Sequence, residues 1–160
     1  LEPLIDLPWT LSIAGETSRN VKAYELLTSN IKDFHLEGRI NVLGVVTDEE
    51  LEHLYAKADI FVLASLFEGY GMAYAEAIAH GLPIIATSGG AIPDTVPQEV
   101  GLIVPPGDIP ALTNALKTLI LDQPYRARLS SGAHEAALLQ PTWEDAIQNF
   151  VFALNRLLPS

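Results

Sequence analysis

The sequence contains no cysteine. That excludes a disulfide framework, a thiolate zinc site and a cysteine nucleophile. It is compatible with the cytosol, the location expected for this chain. Positive charge is scarce: nine lysines and arginines stand against twenty aspartates and glutamates, a formal net charge of -11. Such a chain repels polyphosphate backbones, so nucleic acid is not an expected partner. Direct contact with an anionic membrane is not expected either, although a small anion can still bind at the positive end of a helix. No apolar run approaches the ~20 residues that span a bilayer, and no charged-then-apolar leader opens the sequence. His35, His53, His80 and His134 are scattered without metal spacing. Neither a G-x-S-x-G elbow nor a G-x-x-x-x-G-K-[ST] loop is present, which disfavours hydrolase and P-loop readings.

What is present suits one domain. The 160 residues are 49% apolar and 18% charged, and a chain of this length buries roughly 70% of its unfolded surface. Residues 9–14 (WTLSIA), 40–43, 59–64 (DIFVLA), 84–86 and 101–104 are short apolar runs that end near glycine or a turn, as buried strands do. Between them lie helical patterns. Val21, Tyr24, Leu27 and Ile31 recur at near-helical spacing, and Thr47 with Glu50 reads as a capping box. Leu51, Leu54, Tyr55 and Ala58 would form the inner face of that second helix. A helix over 72–80 stops at Gly81-Leu82-Pro83, SGGAIPD at 88–94 is a loop that ends in a short helix, and three more helices are expected over 108–122, 124–137 and 142–157. The start, LEPLIDLPW, reads as the tail of a helix entering a strand. Strands alternating with helices predict a doubly wound parallel sheet, in which ligands bind at the carboxyl ends of the strands. That draws attention to loops 15–19, 44–47, 64–71 and 87–95.

Four of these features can carry chemistry. Glu68-Gly69-Tyr70-Gly71-Met72 joins a strand to a helix; its glycines admit a ligand to the backbone, and the helix start is suited to a pyrophosphate. A G-x-G turn is equally well a tight turn that needs unusual φ angles. Glu68 and Glu76 stand eight positions apart, and carboxylates accept hydrogen bonds from sugar hydroxyls. Glu76 is a lone acid in an apolar helix, whereas Glu68 can also be a solvated loop acid favoured by the helix dipole. Ser88-Gly89-Gly90 follows a strand and is either a backbone patch or an ordinary turn, and Asp94 caps the short helix after it. Gly15 ends the first strand, with Arg19 either reaching a phosphate or simply solvated at a helix start. His80 closes the helix that carries Glu76, where a cation suits the C-terminus. Trp143 and the stripe Ala146, Phe150, Ala153 and Leu157 read first as core packing.

The stretch EGYGMAYAEAIAHGLPIIATSGGAIPD resembles the signature of glycosyltransferase family 4: E-G-[FY]-G, a second glutamate, A-x-A-x-G-x-P and a G-G loop. Glu68 and Glu76 match its E-x(7)-E pair. GLIVPPGD at 101–108 resembles the family's G-L-x-V-x-P-x-D turn, and NVLGVVTDEELEHLYAKADIFVLAS also fits, so the resemblance covers nearly the whole chain.

The resemblance implies the C-terminal, donor-binding half of a retaining GT-B glycosyltransferase, a Rossmann-like domain that spans 1–160. It implies that Glu76 binds ribose and that Glu68 binds the donor sugar's hydroxyls as the catalytic-site acid. Gly69, Tyr70, Gly71 and Met72 would cradle pyrophosphate and sugar. Gly15, Val45, Ser88 and Gly89 would complete the donor site, Val45 beside the base. The substrate would be a nucleoside diphosphate sugar of the UDP, GDP or ADP type, with no cofactor and no metal. The family's diphosphate-binding arginine and lysine lie in a first strand-helix segment that this chain is expected to lack, together with the N-terminal acceptor domain. The chain alone is therefore expected to transfer no sugar. Part of its apolar surface would face the absent half, through which the enzyme could meet the inner membrane face. Family members usually carry glutamate where Asp94 stands. An epimerase or phosphorylase on the same fold, and a non-catalytic nucleotide-sugar module, are the competing readings. The E-x(7)-E pair disfavours the epimerase, and the lack of a lysine near the cleft loops disfavours the phosphorylase.

Overall fold

The computed structural model describes residues 1–69, 71–140 and 143–157. A 3-10 turn at Glu2–Leu4 leads into β1 (Leu11–Ala14), α1 (Val21–Asp33), β2 (Ile40–Gly44), α2 (Asp48–Lys57) and β3 (Phe61–Leu63). Then come α3 (Met72–Ala79), β4 (Ile84–Thr87), α4 (Ile92–Thr95), β5 (Gly101–Val104), α5 (Ile109–Leu121), α6 (Gln123–Ala137) and α7 (Trp143–Leu157). The helix starts follow local chemistry. Asn20, Asp108 and Asp122 each accept a hydrogen bond from the amide three residues on. Thr47 and Glu50 form the expected reciprocal capping box.

Every strand pairing is parallel, so the α/β class holds. The strands form two sheets, however, with orders β1-β2 and β3-β4-β5. These two orders are those of the doubly wound order 3-2-1-4-5-6 on either side of its first strand. Only β4 is paired on both edges; β1, β2, β3 and β5 are each paired on one.

The core is unequal between the two sheets. β4 is buried at every position, and the two faces of its sheet pack against separate clusters. Tyr74, Ile78, Ile84 and Ile92 belong to one, and Ile85, Leu119 and Leu129 to the other. β1 and β2 share a smaller cluster around Ile31, Leu36 and Ile40 on one face. Among the described residues no helix is long and apolar enough to cross a membrane.

Several expectations are corrected. The first strand begins at Leu11, because Trp9 serves as an anchor instead: its indole donates to the Leu4 carbonyl at 2.7 Å, and the Arg39 guanidinium lies over its ring. The opening is a 3-10 turn rather than a helix tail. In α1, Leu27 and Ile31 pack inward while Val21 and Tyr24 are exposed. Ala58 ends α2 in an extended conformation and is exposed, so Leu51, Leu54 and Tyr55 alone form the inner face. β3 is covered on both faces, yet its residues stay half-buried because one edge has no neighbouring strand. Phe150 and Ala153 of α7 are exposed rather than core, since nothing described packs over that stripe. The side chains of Trp143, Ala146 and Leu157 lie outside the described set.

Candidate functional site

The strand ends carry the candidate residues in two groups. In the first, β1 and β2 end together: the Gly15 amide donates to the Gly44 carbonyl at 2.8 Å. Gly15 is exposed there, and Val45, the next residue, is 72% exposed, leaving its backbone at the rim. Arg19 is exposed just before the N-cap of α1. Within this loop the Ser18 amide donates to Glu16, and hydrogen bonds from Ser18 hold the Glu16 carboxyl below its ordinary value.

The second group surrounds the start of α3. Gly71 is its N-cap, in the left-handed region at φ 82°, and no side chain caps the helix. A β-carbon at Gly71 would stand 2.9 Å from the Tyr74 ring. Glycine therefore serves both the turn and the close approach. As N-cap, glycine itself offers the first amides of α3 no side-chain acceptor, at the positive end of the helix dipole. Gly69 is exposed, and Met72 begins the helix with its side chain 65% exposed. Tyr70 lies outside the described residues.

Glu68 is half-buried beside this helix start, with the Ser65 hydroxyl donating to its carboxylate at 3.4 Å. Two ties hold the loop beneath it. The Tyr74 hydroxyl donates to the Leu63 carbonyl at 2.7 Å, and the buried Thr87 hydroxyl donates to the Ser65 carbonyl. Burial, and then the charge of Glu68, push the Tyr74 phenol up to about 12. Glu68 also forms a parallel bridge with Gly90, and the Ala91 amide donates to its carbonyl at 3.0 Å. Gly89 and Gly90 lie directly on the backbone of residues 66–68, where a β-carbon on either would collide. These glycines thus fasten one strand-end loop to the other, and Ser88 is exposed beside them.

Glu76 lies in the second turn of α3 and is exposed. The Tyr55 hydroxyl of α2 donates to its Oε2 at 3.0 Å. His80 is the C-cap of α3, with Nδ1 2.9 Å from the Glu76 carbonyl and Nε2 2.8 Å from Glu52 Oε2. Both partners are acceptors, so both bonds need the doubly protonated ring. Accordingly the Glu76 carbonyl, with Glu52 beside it, raises the imidazole above its ordinary value. Asp94 does not cap α4: Ala91 occupies that position, and Asp94 is exposed in the first turn. Among the described residues no group of three or more His, Asp or Glu side chains is arranged to hold a metal ion.

The sequence reading missed Ser65, Thr87 and the Tyr55–Glu76 pairing. Ser65 stands three residues before Glu68, a local hint. Thr87 signals itself only as the one polar residue among the buried of the described residues.

The parallel strands and the helices between them have the fold of GT-B glycosyltransferases. The chain matches the family model of glycosyl transferases group 1 over residues 2–122 and belongs to that family. It is 31% identical over 121 residues to O-antigen chain mannosyltransferase B of Escherichia coli, covering 76% of this chain and 31% of that protein. Among solved structures it is similar to Alr3699/HepE of Anabaena in complex with UDP-glucose, with a TM-score of 0.83 and 26% identity over 92% of this chain and 41% of that one. It is also similar to the C-terminal domain of the glycosyl transferase group 1 family protein LpcC from Francisella tularensis. There the TM-score is 0.78, with 29% identity over 86% of this chain and 72% of that one. The chain spans about a third of the length of the curated relatives it matches.

Proposed function

We propose that this chain is the donor-binding domain of a retaining glycosyltransferase that moves a sugar from a nucleoside diphosphate sugar to a hydroxyl acceptor. The observation that carries the reading is the helix start at Gly71: left-handed, without a side-chain cap, and flanked by the held carboxylate of Glu68. Its amides suit a pyrophosphate, and the neighbouring Anabaena structure contains UDP-glucose. In this reading Glu76 accepts from the ribose hydroxyls, and Glu68 accepts from the donor sugar and positions it rather than attacking it. Gly15 and Val45 flank the base from the other sheet. Departure of the diphosphate leaves an oxocarbenium-like centre, attacked on the same face with help from the leaving phosphate. Neither a metal nor a cofactor takes part.

The division of the parallel strands into two sheets, with β1 and β3 as the edges that a doubly wound order would set next to a central strand, supports a further part of the proposal. A strand-helix segment upstream of this domain completes the sheet between them and brings the arginine and lysine that neutralise the diphosphate. Such fixed charge is usually the largest catalytic contribution, so this chain alone transfers no sugar. The acceptor domain lies in the remaining length, and the enzyme works in the cytoplasm, reaching the inner membrane face through that half.

The test is the melting temperature of this chain with UDP-, GDP- and ADP-sugars, beside Glu76→Ala. A ligand at about 100 times its Kd stabilises the fold by ~2.7 kcal/mol. Stabilisation by one nucleotide class, abolished in Glu76→Ala, supports the reading and identifies the base. If none stabilises this chain or one extended upstream, the donor reading fails.

A further inference from the structure

Recognition of two neighbouring hydroxyls by a carboxylate requires its oxygens to be held still. An exposed glutamate on a helix has among the largest rotamer freedoms of any side chain. Glu76 is such a residue, yet its Oε2 accepts from the Tyr55 hydroxyl across the groove between α2 and α3. The phenol that donates is itself fixed. Tyr55 is buried, stacks on His80 at 4.8 Å and packs against Phe61 at 5.9 Å, and Phe61 in turn meets the buried Tyr74 edge-on. Burial, and then the bond to Glu76, hold the phenol far above its ordinary value, so it remains a donor at any physiological pH. The bond occupies one acceptor site on Oε2. It leaves the rest of Oε2 and all of Oε1 free for a ligand.

We propose that Tyr55 is a positioning residue for ribose recognition: its hydroxyl, anchored between His80 and Phe61, fixes the Glu76 carboxylate in the orientation that receives the vicinal 2′ and 3′ hydroxyls of a nucleoside diphosphate. This rests on the reading of Glu76 as the ribose ligand. It adds that Tyr55, inside the second helix and beyond the strand-end loop that precedes it, sets how sharply the site distinguishes ribose from a sugar without those hydroxyls. A bare brace between α2 and α3 would stabilise the fold equally well but would have no bearing on that discrimination.

The experiment titrates the chain calorimetrically with uridine, guanosine and adenosine diphosphates and with their 2′,3′-dideoxy counterparts. The variants are Tyr55→Phe, Glu76→Gln and the double substitution. For the base that binds, loss of both hydroxyls should weaken the parent chain about tenfold, the scale of a hydrogen bond to a charged group. Glu76→Gln should bring that ratio close to unity. Tyr55→Phe should lower it at least about threefold while leaving dideoxy affinity unchanged, and it should add nothing in the Glu76→Gln background. The ratio compares two ligands on one protein, so a general loss of stability cancels from it. If Tyr55→Phe keeps the full ratio while Glu76→Gln loses it, the positioning role is overturned and the ribose reading stands. An equal loss for both nucleotides in Tyr55→Phe marks a brace and also overturns the role. A ratio that survives Glu76→Gln overturns the ribose reading, and the positioning role with it. Binding of none of the nucleotides, by this chain and by one extended upstream alike, overturns both.

Discussion

The three-stranded half of the molecule carries its loops on a core closed from both faces, whereas the two-stranded half is covered on one. Around β4 the chain buries isoleucines on either side, and Tyr74 is wholly enclosed beneath the Glu68 loop. Around β1 and β2 the apolar cluster is small, and Ser12, Ala14, Asn41 and Leu43 are exposed on the opposite face. The difference bears on the candidate site. Glu68, Gly71 and Gly89 are held by backbone and hydroxyl ties to a rigid platform. Gly15 and Val45, expected on the other side of the ligand, stand on a support that opens more easily.

That contrast can be broken most strongly by truncating one core residue in each half. Ile84→Ala removes a fully buried side chain at the centre of the larger sheet and should lower the unfolding free energy by about 2–5 kcal/mol. Val42→Ala, at a half-buried position, should cost about 1 kcal/mol. Urea denaturation checks both, and equal losses would contradict the unequal core. Next comes the helix start. Gly71→Ala places a β-carbon against Tyr74 in a left-handed backbone and should cost about 1–2 kcal/mol from the backbone alone. Gly69→Ala meets nothing nearby and should fall within about 0.5 kcal/mol of the parent. A neutral Gly71→Ala would mean that the turn is not as tight as described.

The smallest effect concerns the joint between α2 and α3. His80 is raised above its ordinary value of 6.5, so its contribution to stability is complete below about pH 6.5 and fades as pH rises through the folded value. His80→Gln, which removes the bonded imidazolium beside Glu52, Glu76 and Tyr55, should therefore lower the melting temperature more in acid than in mild alkali. A difference from the parent that is constant across that range would remove the charge from the account.

Much of this was legible locally. The Thr47 capping box, the all-apolar β4 run and the glycine stops of α3 depend on neighbours within a few residues, and each lies where its pattern predicts. The Glu68 loop was legible for the same reason. What the pattern could not reveal depends on distant partners. Trp9 looks like the start of a strand, but its partners are Leu4 and Arg39, so the strand starts later. Tyr55 reads as an ordinary inner-face residue, because Glu76 lies 21 positions away. The α7 stripe announces an amphipathic helix and says nothing about what covers it. Ser88-Gly89-Gly90 reads as either a backbone patch or an ordinary turn, and the local pattern does not show that the glycines' closest neighbours are the backbone of the adjoining loop.

The central claim is that one nucleotide sugar is held between the two unequal halves. Amide hydrogen exchange of this chain, with and without the nucleotide sugar that stabilises it, tests that most directly. The account predicts slowed exchange at both groups of strand ends, around Gly15 and Val45 as well as around Glu68, Gly71 and Met72, with the looser side gaining more. Protection confined to the three-stranded half, or spread over the helices away from the strand ends, would contradict it.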